Sequence, residues 1–189
     1  PSFSTADVPG LQNDNEFGLL IGNCCQSNAF DSPECFGEAL LRANNKGAVG
    51  YIGGSNNTYW NEDYWWGVGS GNISANPTYF GTGPGVYDGI FHDHGEDESQ
   101  WFVVNDAINM AGNMAVVEAG GNDAYYWEIY HNMGDPSLIT YMGIPVENNV
   151  SHLPILQIGT GTFNISADPY SYVALSMDGV LYGSAFMGS

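Results

Sequence analysis

Two adjacent cysteines, Cys24 and Cys25, are the side chains of this sequence best suited to covalent chemistry. They follow an apolar run at residues 17–23 that is typical of a strand inside a parallel sheet. Ligands and reacting groups collect at the carboxyl ends of such strands in open α/β sheets. A thiol there is a candidate nucleophile, although most free cysteines are small buried hydrophobic residues. The local pattern leaves both interpretations open.

A second candidate site is the pair His92 and His94, which flank Asp93 and precede further acidic residues. Two imidazoles with carboxylates suit zinc, and carboxylates alone suit calcium. However, no third zinc ligand stands at a fixed spacing, and acids at the start of a helix are favoured by the helix dipole. We therefore predict no metal ligand and no required cofactor, with calcium left as an alternative. His131 and His152 are assigned structural roles.

The charge of the chain excludes several classes of partner. Aspartate and glutamate number 21 against 2 lysine and arginine residues, which gives a formal net charge of −19. Nucleic acids and anionic membranes are bound by basic patches, so neither is a predicted partner. No apolar run approaches the roughly 18 residues of a membrane-spanning helix. The composition suits a secreted, extracellular or cell-surface protein, and only Arg42 and Lys46 could be cleaved by a trypsin-like enzyme.

A βαβ unit must position the two thiols. Ser32, Pro33 and Glu34 predict a helix start, because they supply a cap, a first-turn proline and an acid near the helix dipole. We expect this helix to end at Gly47 and the next strand to cover residues 48–52. The two strands of such a unit are parallel, and we expect a right-handed crossover between them. The second strand then brings its own loop to the edge that carries the cysteines.

The rest of the chain predicts two more helices and then a change to strands. Apolar spacing predicts helices at residues 99–119 and 123–133, which together cover one face of the sheet. Farther along, residues 155–167 and 172–186 are predicted strands, with a hairpin turn at residues 177–180. Two such strands do not form a stable sandwich alone, so they indicate the beginning of a β domain.

One series of residues is specific enough to indicate a family. Cys24 precedes the segments CFGEALLRA at 35–43, GAVGYIGGS at 47–55 and NTYW at 57–60, and GDPSL stands at 134–138. This order resembles the gingipain-type cysteine peptidases of family C25. The resemblance implies peptide-bond cleavage by acyl transfer, in which a Cys–His dyad attacks the carbonyl of a polypeptide substrate.

The resemblance also implies the domain organisation. Residues 1–144 would form the C-terminal portion of a peptidase domain with an α/β fold, a partial caspase-like sheet with flanking helices. Residues 145–189 would be the start of an Ig-like β domain, contributing a β hairpin of its sandwich.

Individual roles follow from the matched positions. Alignment without gaps assigns the nucleophile to Cys24 and leaves Cys25 without a role. Trp60 matches an aromatic wall of the pocket for the P1 side chain, with a half-buried loop tryptophan as the alternative. Asn57 and Tyr59 are assigned to substrate binding beside it. Backbone N–H groups, that of Cys24 among them, would hold the oxyanion.

The chain departs from the family pattern at the general base. In the family, the dyad histidine lies upstream of the cysteine, but none of the residues before Cys24 is histidine. We therefore expect the base to lie upstream of Pro1, on a part of the same domain that is a required partner, and we expect this portion to be inactive alone. The acids that select basic P1 side chains in the family also lie upstream, so no P1 preference is predicted.

A non-catalytic extracellular binding or structural module, derived from a peptidase, is the alternative. The chain contains 5 tryptophans and 12 tyrosines, and exposed aromatic rings stack on sugars and peptides. An exposed row of aromatic rings would favour binding, whereas a cleft beside Cys24 would favour the peptidase.

Overall fold

The computed structural model describes residues 3–91, 102, 104–140 and 147–188. The chain divides into two compact units, Pro1–Met142 and Gly143–Ser189. The elements of the first unit are a 3-10 helix Thr5–Gly10, β1 Gly18–Gly22, α1 Phe36–Arg42, β2 Ala48–Gly54, α2 Trp60–Gly67, α3 Tyr79–Thr82, α4 Val86–Ile90, α5 Asn105–Ala119, α6 Asp123–Ile129 and β3 Tyr130–Gly134. The second unit contains β4 Ser151–His152, β5 Ile165–Ser166, β6 Tyr172–Met177 and β7 Val180–Phe186. No helix among the described residues is long and apolar enough to cross a membrane.

A three-stranded sheet in the order β1-β2-β3 forms the centre of the first unit. Strands β1 and β2 are parallel, with Leu20 opposite Tyr51, and α1 connects them as the sequence predicts. Strand β3 pairs antiparallel with the other side of β2, with Asn132 opposite Ile52. Mixed helices and strands therefore confirm the α/β class, while the caspase-like description stays a prediction.

The two faces of β2 pack against different helices because successive strand residues point to opposite sides. Tyr51 packs in a small cluster with residues of the 3-10 helix and α1. Ile52 packs in a larger cluster built from α2, α4, α5 and α6. The expectation that the helices after residue 99 share one face of the sheet is confirmed.

Helix α1 is shorter than predicted at both ends. It begins at Phe36, because the N–H of Cys35 is satisfied by the Glu38 carboxylate at 3.0 Å, a capping contact that replaces the predicted Ser32 cap. It ends at Arg42, since Ala43 is already extended with ψ of 127°.

The predicted helix at residues 123–133 is wrong in its second half. Helix α6 ends at Ile129, and the next five residues form β3, because the free edge of β2 offers them ladder hydrogen bonds. Residues 99–101 and 103 of the other predicted helix, 99–119, lie outside the described residues. Val104 pairs in a β-bridge with Ile139, and α5 begins at Asn105.

Strand β1 is less buried than its apolar sequence predicts. Phe17 and Leu20 are each 39% exposed. Within the described residues β1 pairs with β2 alone, so it lies at the edge of this sheet, and its other edge is unpaired there.

The second unit consists of short antiparallel pairs. Strands β6 and β7 form the predicted hairpin, and Asp178 and Gly179 have φ angles of 51° and 78°, the two positive values of a tight hairpin turn. The predicted strand at 155–167 is wrong except for β5, which pairs with β4. The Ig-like assignment stays a prediction.

Candidate active site

The thiols lie where β1 and β2 end. Cys24 and Cys25 are both free and exposed in the loop after β1, whereas Cys35 is free and buried at the start of α1. Two backbone hydrogen bonds join this loop to the loop after β2: the N–H of Gln26 donates to Asn56 at 3.0 Å, and that of Asn28 to Gly54 at 3.0 Å.

A groove of about 550 Å³ runs beside the thiols. Its walls come from the loop after β1, the loop before α2, and α2 with the segment that follows it. They are Asn23, Cys24, Cys25, Thr58, Trp60, Asn61, Asp63, Tyr64, Val68 and Ile73. Another cavity of about 400 Å³ lies between the 3-10 helix and α1, and no cysteine lines it. The groove at the strand ends is therefore the cavity with candidate nucleophiles.

The structure brings two of the four predicted site residues into this groove. Cys24 and Trp60 both line it, and Trp60, the first residue of α2, is 93% exposed. The other two support the loop: the Asn57 carbonyl accepts a hydrogen bond from the Tyr125 hydroxyl at 2.9 Å, and the Tyr59 ring lies 5.7 Å from the Tyr125 ring. Their assignment to substrate binding stays a prediction.

Cys25, which the sequence left without a role, is held by Thr58. Its sulfur accepts a hydrogen bond from the Thr58 N–H at 3.3 Å and lies 3.5 Å from the Thr58 hydroxyl. The hydrogen bond to the Thr58 side chain, with that to its backbone, lowers the pKa of the Cys25 thiol. Thr58 thus lowers the pKa of the Cys25 thiol, while the Thr58 carbonyl, 3.6 Å from the sulfur, accepts from the protonated form.

The predicted oxyanion donor is engaged within its own loop. The N–H of Cys24 donates to the Gly22 carbonyl at 2.8 Å. This amide would have to leave that acceptor to hold a substrate oxyanion, so its role stays a prediction.

Asp63 is the groove residue that the sequence analysis missed. One carboxylate oxygen accepts from the Thr58 hydroxyl at 2.6 Å, and the other accepts from the hydroxyls of Tyr126 at 2.9 Å and Tyr130 at 3.0 Å. Its backbone carbonyl accepts from the Asn23 amide at 2.7 Å. The available signal was an acid in the first turn of a helix that begins at Trp60.

The two tyrosines are rigid donors to this carboxylate. The Tyr126 and Tyr130 rings stack with centroids 5.3 Å apart, and Tyr130 stacks on buried Trp66 at 4.5 Å. Burial raises the pKa of both phenols, so they stay protonated at neutral pH. The Tyr126 hydroxyl donates to Asp63, and the Tyr130 hydroxyl shares its proton between Asp63 and the Asn23 side-chain oxygen, which lies at 2.5 Å. Among the described residues the one ion pair is that of Arg42 with Glu34, so Asp63 has hydroxyl partners and no cation.

His131, the described histidine of the first unit, forms no hydrogen bond or ring contact with either rim thiol, Cys24 or Cys25, within the described part of that unit. The His131 ring lies 5.3 Å from the Phe30 ring, and its backbone carbonyl accepts from Asn28 at 2.9 Å. His152 belongs to the second unit. The acidic segment with His92 and His94 lies outside the described residues, and the described part of the chain contains no cluster of potential metal ligands.

Peptidase family C25 matches residues 1–141. This chain belongs to that family. It is 42% identical to Lys-gingipain of Porphyromonas gingivalis over 97% of its own length, which is 11% of the relative. Lys-gingipain W83 of the same organism is 41% identical over the same shares. The chain thus spans only a small part of the curated relatives that it matches.

Solved structures show the same fold. A structure described only as a protease has a TM-score of 0.81 and 38% identity, over 98% of this chain and 42% of the other. The Arg-specific cysteine proteinase gingipain R has a TM-score of 0.72 over 98% of this chain and 40% of the other, and its 22% identity supports the fold alone.

Proposed function

We propose that this chain is part of a secreted cysteine endopeptidase in which Cys24 is the nucleophile. The observation that carries the proposal is an exposed thiol at the carboxyl end of a parallel strand, lining one groove with Trp60 and Asp63. Family membership supplies the chemistry, and the groove supplies room for a polypeptide beside the sulfur.

The reaction would be acyl transfer through a covalent thioester. The Cys24 thiolate attacks the peptide carbonyl carbon, and a histidine that has taken the thiol proton gives it to the leaving amine. Water, deprotonated by the same histidine, then hydrolyses the thioester and regenerates the thiol. Backbone N–H groups would hold the oxyanion in both steps. This chemistry requires no cofactor, and bound calcium stays an untested alternative.

The histidine would come from a part of the domain upstream of Pro1, so this portion would be inactive alone. Two observations support the proposal: within the described part of the first unit His131 forms no hydrogen bond or ring contact with either rim thiol, and the chain spans 11% of its Lys-gingipain relatives. The exposed side of β1 also has the edge hydrogen-bonding groups on which a further strand could pair.

Asp63 would select lysine at P1. The relatives are Lys-gingipains, and the Asp63 carboxylate lines the same groove as Cys24. Among the described residues this carboxylate has no cationic partner. The ammonium of a substrate lysine would pair with that carboxylate, while its methylene stem would lie along the exposed Trp60 ring.

Thiol labelling tests the nucleophile. We expect iodoacetamide to inactivate the complete protein with the label on Cys24, and Cys24→Ala to abolish peptidase activity while Cys25→Ala retains it. Since Thr58 lowers the pKa of the Cys25 thiol, Cys25 is the competing nucleophile. Full activity in Cys24→Ala, with loss in Cys25→Ala, would reverse the assignment.

Substrate selectivity tests Asp63. Asp63→Asn should reduce kcat/KM about a hundredfold for a lysine substrate, because the ammonium loses its charge partner, and should leave cleavage of a norleucine analogue nearly unchanged. The matched control is Glu62→Gln, which removes a charge from the neighbouring position, where the carboxylate accepts from the Asn122 N–H. Equal losses for both substrates would reject a specificity role.

A non-catalytic binding module is the second candidate. It is favoured by the exposed rings of Trp60 and Tyr59, which are adjacent in the chain and 93% and 49% exposed. A complete protein that binds peptide or glycan with wild-type affinity after both rim thiols are removed, and that never cleaves peptide, would establish this alternative.

A further inference from the structure

The chain contains one lysine, Lys46, and one arginine, Arg42. A peptidase that cleaves after lysine would therefore find a single cleavage position here, the bond between Lys46 and Gly47. This bond lies in the turn between α1 and β2, where chains are commonly cut. Its contacts, however, differ from those of an ordinary exposed turn.

The side chain of Lys46 is half-buried and has a backbone partner. Its ammonium donates to the Pro9 carbonyl, in the 3-10 helix, at 2.8 Å. A lysine must insert its side chain into a P1 pocket to be recognised. Lys46 would first have to leave Pro9.

The backbone of the bond is held as well. The N–H of Gly47, which belongs to the bond itself, donates to the Asn13 side-chain oxygen at 3.0 Å. The Asn13 amide donates in return to the Gly47 carbonyl at 2.8 Å and also to the Glu16 carbonyl at 3.1 Å. A single side chain thus occupies both hydrogen-bonding groups of Gly47.

The shape of the turn opposes cleavage further. Asn45 and Gly47 have φ angles of 56° and 92°, whereas peptides that bind along an edge or cleft adopt extended backbone. Gly47 is buried, and an added Cβ there would lie 2.0 Å from the Leu40 carbonyl oxygen. The turn therefore has to detach from α1 before the bond can enter an active site.

We propose that the Pro9 carbonyl and the Asn13 side chain form a shield that protects the Lys46–Gly47 bond from lysine-specific cleavage, including cleavage by another copy of this peptidase. Self-protection rests on the proposed specificity for lysine, but the shield itself does not. Proteolysis of a native protein follows the population of the locally opened state when opening is fast. Asn13 and Pro9 lower that population by contacting the backbone and the side chain of the same bond.

The experiment removes self-digestion and supplies the protease. The complete protein carrying Cys24→Ala and Cys25→Ala is treated under native conditions with an added lysine-specific endopeptidase. New N-termini beginning at Gly47 are then quantified by labelling and mass spectrometry. We expect Asn13→Ala to accelerate their appearance about tenfold, because two hydrogen bonds to Gly47 are lost.

Gln12→Ala is the matched control, since the Gln12 side chain is exposed and bonds only to the Gly10 carbonyl at 3.3 Å. It should cleave at the parental rate. Denatured parent protein should be cut readily at Gly47, which establishes the bond as a substrate once it is free. Equal native rates in the parent and Asn13→Ala, with cleavage of the denatured protein intact, would overturn the shield.

A second arm separates the shield from the proposed function. Asn13→Ala with both thiols intact is incubated alone, and N-termini at Gly47 are followed. Their accumulation supports shield and lysine specificity together. If the added endopeptidase cuts the variant faster but the active protein never cuts itself there, the shield stands and the proposed lysine specificity is wrong.

Discussion

The two units of this chain differ in how far their large side chains are buried. In the unit Pro1–Met142, Trp66, Ile108 and Tyr126 are each 0% exposed. In the other unit, no described side chain between residues 147 and 188 is buried, and Tyr182 on β7 is 63% exposed. The first unit therefore has a close-packed interior, whereas the described strands of the second unit bury no side chain among themselves.

This difference explains why the candidate site lies on the first unit. Asp63 is oriented by hydroxyls of Tyr126 and Tyr130, and those rings are fixed because they stack within the buried cluster. A polar site holds its geometry when packed residues support it. The side chains of the β6–β7 hairpin point alternately to its two faces, but no buried cluster among the described residues supports them.

The largest expected effect tests the interior of the first unit. Trp66→Ala should lower its free energy of unfolding by about 3–5 kcal/mol, as large aromatic truncations in cores do. Trp66 stacks on Tyr130 and donates to Asn113 at 3.1 Å, so the truncation also removes a ring contact and a buried hydrogen bond. Denaturant unfolding followed by tryptophan fluorescence and circular dichroism measures the change.

The matched truncation in the second unit is Tyr182→Ala. In the chain Pro1–Ser189, where this side chain is exposed, it should change stability by less than about 0.5 kcal/mol, as exposed substitutions usually do. Similar losses in both variants would contradict the contrast between the units.

A smaller effect is expected from Gly112→Ala, which adds one methyl group to the interior of the first unit. Gly112 lies in α5 with a hypothetical Cβ 2.3 Å from the Trp66 ring, and that ring is fully buried. Alanine favours the helix by about 1 kcal/mol, but overpacking against a fixed indole costs about 1–3 kcal/mol. We expect a net loss in the thermal midpoint.

Gly183 on β7 provides the control, since no atom lies within 4 Å of its hypothetical Cβ. Gly183→Ala should leave the thermal midpoint unchanged. A stabilised Gly112→Ala protein would show that the indole can move, and that the interior is less rigid than described.

Local patterns in the sequence were sufficient for much of this fold. The apolar run before Cys24, the helix after it and the strand at 48–52 follow from short-range periodicity, and the Asp178–Gly179 turn follows from its residue types. Strand β3 does not, because its conformation is decided by pairing with β2, far away in the chain. Helical spacing simply continued through Tyr130.

The same distinction applies to the candidate site. The thiols were found because a cysteine pair at the end of an apolar strand is a local signal. Asp63 was missed because its environment comes from Tyr126 and Tyr130, which stand 63 and 67 residues away. The contact of Cys25 with Thr58 spans 33 residues and was equally invisible.

In the second unit the backbone has a larger effect than packing. Gly179 has a φ of 78°, so Gly179→Ala should destabilise the hairpin by about 1 kcal/mol through strain in the turn. Hydrogen exchange of the β6 and β7 amides should accelerate about fivefold. Gly188→Ala is the control, because its surroundings are open and it lacks a positive φ. Unchanged exchange in Gly179→Ala would show that the turn does not limit hairpin stability.

The smallest expected effect is a change in thiol reactivity at the rim. Thr58→Val removes the hydroxyl near the Cys25 sulfur and keeps the Thr58 N–H, so the pKa of the Cys25 thiol should rise partway towards its usual value of 9.0. Only the thiolate reacts with iodoacetamide. The pH at which alkylation reaches half its maximum rate should therefore move upward in Thr58→Val, measured in a Cys24→Ala background.

Thr160→Val is the control for this prediction, because it deletes a hydroxyl in the other unit and should leave this pH unchanged. An unchanged or lower pH in Thr58→Val would show that the Thr58 hydroxyl does not hold the pKa of the Cys25 thiol down.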